Sequence, residues 1–357
     1  MNPNLPDSLK RNAKPADYSL PDWQRAYGDP VVQGLFKQSP SDFNVTEILG
    51  YQLSGDGEHD FLWVEKEGVN TAWVAEKFAG LAGVREVDVG YSGRKDRQAI
   101  TRQWFSIRRP TGSGTDWDRF NEPGVTILEK TRHEKKLRRG AHSGNHFRIA
   151  IREAHPDAEA INARLELIRV GGVPNYFGEQ RFGRGGNNLT LATDLFAGRR
   201  LKRNKRSIAL SAARAYIFNH VLQFRIKENC WDTAVPGEAL NLDGTGSVFV
   251  EDEINEALKA RLLSLDIHPT GALWGSGELI CCDEAAKIDV TIAAQFEALS
   301  RGLCVQDVKQ ARRALRLAVR DLKWEFENDT LWLDFWLTSG GFATSVLQEI
   351  ATPGERA

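Results

Sequence analysis

The chain has 357 residues, and a prior of roughly 150 residues per domain predicts about two domains. Hydrophobic residues make up 41% and charged residues 27%, which is ordinary for a globular protein and excludes collagen-like, coiled-coil and globally disordered classes. The 47 basic and 48 acidic residues give a net charge of −1, so only a local patch of positive charge could indicate a nucleic-acid partner.

The cysteines and the N-terminus bear on the cellular compartment. No Cys-x-x-Cys pair and no Cys/His spacing of a zinc site is present, so we expect reduced thiols in a cytoplasmic protein. The cysteines are Cys230, Cys281, Cys282 and Cys304. No secretory signal begins the chain and no apolar run approaches ~18 residues, so no membrane span is expected.

Hydrophobic periodicity predicts the elements in chain order. Residues 1–25 are polar and contain prolines, which indicates an extended arm. Short apolar or alternating runs predict strands at 60–65, 103–107, 147–152 and 331–337. Apolar residues at helical spacing predict helices at 74–81, 161–168, 210–224 and from about 284 to 319.

The distribution of these patterns predicts how the domains are arranged. Strand patterns lie at both ends of the chain and mostly helical patterns lie between them. Because a two-stranded piece is marginal alone, the strands at the two ends should complete one sheet. We therefore expect an α+β domain made of residues 1–170 and 320–357, the arm included, with residues 171–319 inserted as a second domain.

The segment at 90–104 contains the strongest candidate for a catalytic residue. Asp96 lies between Lys95 and Arg97 in a polar, glycine-containing segment that precedes a strand. Cations within ~4–6 Å lower the pKa of a carboxylate, and an ionised Asp on a loop can act as a nucleophile or a base. From spacing alone, the alternative is a surface turn whose Asp is paired with its neighbours.

Two basic runs and several aromatic residues could contact a nucleic acid. The runs are 130–142, which includes Arg138 and Arg139, and 199–206, which includes Arg199, Arg200, Lys202, Arg203, Lys205 and Arg206. Phosphates are the natural complement of such runs, and solvated surface is the alternative. Phe43, Phe147 and Phe342 could stack on an unpaired base or belong to the core, and Asn145 could read a base edge or cap a turn.

The motifs resemble a known family. Residues 93–101 match the G-x-K-D-[RK]-x-A-x-T signature of the TruD family of tRNA pseudouridine synthases, and residues 173–183 resemble its other signature. Shorter matches lie at 136–140, 144–145, 204–206, 211–214 and 341–346. The resemblance implies a pseudouridine-synthase-type catalytic domain with an antiparallel or mixed sheet, interrupted by an inserted α/β TRUD domain.

The resemblance also implies an activity and residue roles. The enzyme would isomerise uridine 13 in the D arm of tRNA to pseudouridine, without a metal or cofactor, on a flipped-out base. Asp96 matches the nucleophile, which would attack uracil C6 or ribose C1′. Lys37 matches its charge partner, and Phe147 matches the aromatic residue that stacks on the target base.

The remaining matched positions concern substrate binding. Phe43, Asn145 and Phe342 match substrate-contacting residues, and the two basic runs become expected contacts to the RNA backbone. tRNA is the expected partner, and nothing in the sequence demands more than a monomer.

Two other classes of function compete with this hypothesis. A non-catalytic tRNA-binding or folding protein could keep the scaffold, although binding alone needs no nucleophile such as Asp96. A phosphodiester-cleaving enzyme would need a metal-carboxylate cluster or a His pair, and the seven histidines show no such grouping.

Overall fold

The fold comprises two compact units. A computed structural model describes residues 18–109, 114–154, 157–251 and 253–353. The sheet unit consists of Pro30–Val170 and the described residues from Ala318 onward. The inserted unit consists of the described residues up to Asp29 together with Gly171–Leu317.

The described strands and helices are numbered in chain order. The strands are β1 (Val32–Phe36), β2 (Phe43–Ile48), β3 (His59–Glu67), β4 (Val89–Gly90), β5 (Ile100–Arg108), β6 (Val125–His133), β7 (Gly144–Arg152), β8 (Val173–Pro174), β9 (Ala239–Leu242), β10 (Val248–Val250), β11 (Ile267–Leu273), β12 (Ala311–Ala314), β13 (Arg316–Leu317), β14 (Arg320–Glu327), β15 (Thr330–Thr338) and β16 (Ala351–Pro353). The α-helices are α1 (Thr71–Ala82), α2 (Ala158–Gly171), α3 (Asn187–Phe196), α4 (Arg203–Lys227), α5 (Glu256–Leu263), α6 (Asp283–Gln295), α7 (Glu297–Val305) and α8 (Ala343–Ile350).

One mixed sheet organises the sheet unit. Its main path runs β14-β15-β7-β2-β5-β3-β6, with β1 beside β7 and β16, and β4 beside β5. The β2–β5 and β1–β16 pairs are parallel and the other pairs are antiparallel. Strands from both ends of the chain therefore share this sheet, and the α+β prediction is confirmed.

Alternation explains which side chains form the core of the sheet unit. In β3, Leu62 and Val64 point inward and are fully buried, and α1 contributes Val74 and Phe78 to the same cluster. A glycine C-cap with φ of 65° at Gly83 ends α1. The predicted strands are confirmed as β3, β5, β7 and β15, and the predicted helices before residue 230 are confirmed as α1, α2 and α4.

The inserted unit combines helices with its own small sheets. Strands β10-β9-β11-β12 form a four-stranded sheet, β8 pairs with β13, and the 25-residue helix α4 lies at the centre of the apolar core. The predicted helical region from about 284 to 319 is wrong beyond α7. Asp307, with φ of 52°, turns the chain, and residues 311–314 then pair with β11 as β12.

The described part of the arm packs within the inserted unit. Trp23 is 7% exposed, stacks on Tyr176 with ring centroids 5.5 Å apart and meets the edge of His220 at 5.0 Å. Tyr18 packs against Tyr216 at 5.4 Å. This corrects the expectation that residues 18–25 belong with the rest of 1–170, because aromatic burial ties them to 171–317. Residues 1–17 of the predicted arm lie outside the described residues. No described helix is long and apolar enough to cross a membrane.

Candidate active site

Asp96 lies in the loop that connects β4 to β5. A glycine is required where this loop begins, because a Cβ on Gly90 would stand 2.3 Å from the carbonyl oxygen of Leu137. The loop ends where β5 begins beside β2, and Asn44 of β2 pairs with Ile100 of β5. Asp96 is thereby held at the edge of the sheet with its side chain about one-third exposed, at 32%.

Lys37 forms an ion pair with Asp96. The lysine follows β1, adopts a left-handed φ of 52°, which non-glycine residues seldom use, and donates from Nζ to Asp96 Oδ2. Asp96 Oδ1 accepts from the backbone N–H of Gln98 at 3.0 Å. Burial raises the pKa of Asp96, but the Lys37 ammonium and the loop N–H groups outweigh it and hold the pKa below its ordinary value.

A group of aromatic rings adjoins the ion pair. Lys37 Nζ lies 4.1 Å from the ring centroid of Phe43, a cation–π contact. Phe43 meets Phe147 edge-on at 6.2 Å, and Phe147 stacks on Phe335 at 5.4 Å. Phe147 is only 6% exposed, so any base must contact the small part of the ring that Phe335 and Phe43 leave uncovered.

Glu47 and Lys95 form a buried ion pair behind the Asp96 loop. Their side chains are 0% and 6% exposed, and Lys95 Nζ lies 3.2 Å from Glu47 Oε2. Glu47 also accepts hydrogen bonds from the Ser92 hydroxyl and, at 3.2 Å, from the backbone N–H of Trp104. This pair connects the loop to β2 and β5.

Lys95 also fixes the orientation of Asn145. Its ammonium donates to Asn145 Oδ1, which leaves Nδ2 as the donor end of the amide. Nδ2 makes a long 3.4 Å contact with Nε2 of His142. Burial and the Lys95 charge lower the pKa of His142, which favours a neutral ring that can accept this hydrogen bond.

Phe342 lies at the exposed start of α8, at 36% exposure. It follows β15, whose Leu337 pairs with Asn145 of β7. The Ser339 hydroxyl contacts the His142 ring at 3.4 Å. The turn that carries Phe342 is therefore placed beside the Asn145 end of β7.

The basic residues before β7 adjoin the Asp96 loop. Arg139 stacks over Tyr91 with Cζ 3.7 Å from the ring centroid, and the Gly140 N–H donates to the carbonyl of Ser92 at 2.7 Å. Arg138 and Arg139 are both exposed. Their charges are therefore available to a ligand that reaches this loop.

The second basic run lies in the inserted unit. Arg199 pairs with Asp194 at 2.6 Å, and Arg206 donates to Gln306. The other run members that we singled out are also exposed at or near the start of α4: Arg200, Lys202, Arg203 and Lys205. Two of the six predicted phosphate contacts thus already have protein partners.

Sequence analysis missed Lys66 and Glu47. Both are charged residues at inward positions of strands, Lys66 on the Leu62–Val64 face of β3 and Glu47 on the Val45 face of β2. Period-two alternation could have identified them, because a charge on a buried face needs a partner. Lys66 Nζ donates to the backbone carbonyl of Asp96 at 2.8 Å.

Comparison with solved structures identifies the fold. The fold is similar to that of a solved structure described as a tRNA pseudouridine synthase D (TruD) from Methanosarcina mazei. The TM-score is 0.70 over 91% of this chain and 95% of that chain, at 20% sequence identity. The described architecture is therefore a pseudouridine-synthase D fold.

Sequence comparison gives the family. The model of the family described as tRNA pseudouridine synthase D (TruD) matches residues 25–195 and 191–350. The tRNA pseudouridine synthase D of Methylococcus capsulatus (strain Bath) is 44% identical over 332 residues, which cover 92% of this chain and 94% of the relative. That of Hydrogenovibrio crunogenus is 40% identical, covering 94% and 98%. The chain belongs to the tRNA pseudouridine synthase D family, a family of isomerases.

Proposed function

We propose that this protein isomerises uridine 13 in the D arm of tRNA to pseudouridine, with Asp96 as the nucleophile. The observation that carries the proposal is the Lys37–Asp96 ion pair on a partly exposed loop. A nucleophilic carboxylate must be ionised, and Lys37 supplies the opposite charge that keeps it so in a partly buried position.

The two oxygens of Asp96 have different partners. Oδ2 is bound by the Lys37 ammonium, whereas Oδ1 accepts from the Gln98 N–H at 3.0 Å. The oxygen without the ammonium is the better nucleophile, because a direct ion pair withdraws electron density from Oδ2. We therefore propose attack by Oδ1, either at uracil C6 or at ribose C1′.

Both routes give the same balance of bonds. The N1–C1′ bond breaks, the uracil rotates, a C5–C1′ bond forms, the C5 hydrogen leaves as a proton and N1 acquires a proton. The ester to Asp96 forms and is then broken, so the carboxylate is regenerated. No oxidant, reductant or cofactor enters this balance.

The surrounding side chains suit an extruded uracil. With Oδ1 occupied by Lys95, Asn145 presents Nδ2, a donor that complements a uracil carbonyl and would oppose the amino group of cytosine. Phe147 and the exposed Phe342 supply aromatic surface for a flipped base. Arg138 and Arg139, beside the same loop, are proposed to contact the RNA backbone.

The experiment is tritium release from unmodified tRNA labelled at uracil C5. Both routes expel the C5 hydrogen, so release reports the isomerisation itself. Asp96→Asn should abolish release and retain tRNA binding, because it removes the nucleophile and little contact area. EDTA should leave release unchanged, since Asp96 itself supplies the proposed nucleophile.

Further controls test which uridine is modified and whether the protein is an enzyme or a binding protein. Replacing uridine 13 by cytidine in the transcript should remove the signal, and release that persists would contradict the assigned position. Tight tRNA binding without release by the parent protein would favour the non-catalytic binding protein. Turnover by Asp96→Asn near the parent rate would refute the assignment of Asp96.

A further inference from the structure

Lys66 is a fully buried lysine beneath the Asp96 loop. It lies on the inward face of β3, is 0% exposed, and pairs in register with Thr101 of β5 and Val125 of β6. Its Nζ donates to the backbone carbonyls of Asp96 at 2.8 Å and of Val69 at 3.0 Å. The ammonium therefore joins the catalytic loop to the turn that precedes α1.

Burying this ammonium is unfavourable unless something compensates for it. Lysine is almost never fully buried unless it is paired, and the two hydrogen bonds that Lys66 donates within the described residues are to neutral carbonyls. Burial and the Lys95 charge lower the pKa of Lys66 and the Asp96 charge raises it, and together they leave the pKa at about 8. The compensating negative charge thus comes from Asp96, the residue whose loop Lys66 holds.

Other hydrogen bonds fix the flanks of the same loop. Arg97 Nε donates to the carbonyl of Gly68 at 2.7 Å, and the Gly68 N–H donates to the carbonyl of Arg97 at 3.2 Å. The Lys95 N–H donates to Thr71 Oγ1 at 3.0 Å. Between these two flanking attachments, Lys66 binds the backbone carbonyl of Asp96.

We propose that Lys66 is a positioning residue for the isomerisation: its buried ammonium holds the backbone of Asp96 and sets the direction in which Oδ1 attacks. This inference rests on the proposed role of Asp96 as nucleophile. Lys37 and Lys66 then have different roles. Lys37 binds the Asp96 carboxylate from the exposed side, and Lys66 fixes the Asp96 main chain from the buried side.

The test compares Lys66→Met with the matched control Lys77→Met. Lys77 is on α1, is 38% exposed and pairs with Glu122 at the surface. Lys66→Met should slow single-turnover pseudouridine formation about 100-fold, a loss that a misplacement of about 1 Å can cause, and change the Kd for tRNA less than about threefold. Lys77→Met should match the parent in both.

The pH profile gives a readout that a merely structural lysine would not change. The charged groups that face Lys66 are Asp96 and Lys95, and its strand neighbours Thr101 and Val125 do not titrate. The parent rate should fall as pH rises through about 8, and this alkaline fall should be absent from the residual rate of Lys66→Met. An unchanged rate, or equal losses in rate and tRNA affinity, would overturn the proposal.

A second measurement does not depend on the folding of Lys66→Met. The coupling is reciprocal, so Asp96→Asn should lower the pKa of Lys66 further. While Lys66 is protonated, the variant is less stable than the parent because the Asp96 charge no longer stabilises the buried ammonium. Once Lys66 is neutral, this difference in stability disappears. The deficit in apparent Tm of Asp96→Asn relative to the parent should therefore shrink between about pH 6 and about pH 10. A constant deficit would overturn the coupling.

The two proposals fail in different ways. If Asp96→Asn keeps releasing tritium, the nucleophile assignment fails whatever Lys66 does. If Asp96→Asn is inactive but Lys66→Met turns over like the parent, only the positioning role fails.

Discussion

Burial and ion pairing act on the pKa of Asp96 in opposite directions, and ion pairing prevails. Burial favours the neutral acid, whereas Lys37 and the N–H groups of Gln98 and Arg97 favour the carboxylate. Because the pKa is lowered on folding, the pair contributes stability above the unfolded-state pKa of Asp96. That stability is lost as pH falls through the folded-state pKa.

Lys37→Met should therefore move the acidic limb of the rate–pH profile to higher pH. The substitution keeps the burial of Asp96 and removes the ammonium, so the pKa of Asp96 should rise. Single-turnover rates measured from about pH 4 to pH 8 give the midpoint. Lys259→Met, a 53%-exposed lysine of the inserted unit, is the control, and an unmoved midpoint in Lys37→Met would contradict the role of the pair.

The local motif singled out Asp96 and the family resemblance supplied its charge partner Lys37, but neither identified Glu47 or Lys66. Asp96 stands out because Lys95 and Arg97 flank it, yet its ion pair is with Lys37, which no spacing reveals. Glu47 and Lys66 meet their partners only after β2, β3 and β5 assemble. Their inward position in alternating strands was the available signal.

At the scale of elements, β7 carries two of the residues proposed to contact the substrate, Asn145 and Phe147. It lies between β2 and β15, with Asn145 opposite Glu47 and Leu337, and Phe147 opposite Val45 and Phe335. Since side chains two apart share a face, Asn145 and Phe147 lie on the same side of the sheet. The alternation within β7 could be read from the sequence, but the identity of its neighbours, β2 and β15, could not.

The helix predicted at 306–319 was wrong for the same reason, because the sequence does not show which strands become neighbours. Residues 311–317 contain basic and apolar residues in an order compatible with a helix, and local propensity does not reveal pairing. Antiparallel pairing with β11, from Thr270–Ala314 to Leu273–Ala311, decides the conformation. Tertiary context overrides a weak local preference.

The start of α4 offers a prediction about RNA binding. Arg200, Lys202 and Arg203 are exposed, whereas Arg199 is paired with Asp194. Neutralising these three residues should weaken tRNA binding and reduce the slope of log K against log salt by about one for each lost phosphate contact. Binding is measured by titration at several salt concentrations.

A control with the same change in charge tests whether the effect is local. Lys259, Lys287 and Arg301 are exposed on other helices of the inserted unit. Neutralising them should leave the slope near that of the parent. Equal slopes for both triple variants would show that total charge, rather than contact at α4, governs binding.

At the scale of the whole molecule, the arm contributes to the stability of the inserted unit. Trp23→Ala should lower the free energy of local opening of this unit by about 3–5 kcal/mol, because it empties a site between Tyr176 and His220. Hydrogen–deuterium exchange of α4 peptides measures this opening. Leu263→Ala, at a 79%-exposed position, should stay within about 0.5 kcal/mol, and unchanged protection of α4 in Trp23→Ala would contradict the packing role.

The pairing of the sheet unit has a consequence for synthesis of the chain. β15 completes one side of β7, and β16 pairs with β1 through Val32 and Ala351, so strands that are translated after the whole inserted unit close the sheet. Chains emerge from the ribosome N-terminus first. A nascent chain therefore holds Lys37 and Asp96 long before Phe335 arrives to cover Phe147. Completion of the candidate active site should therefore wait until the inserted unit and β15 have both been translated.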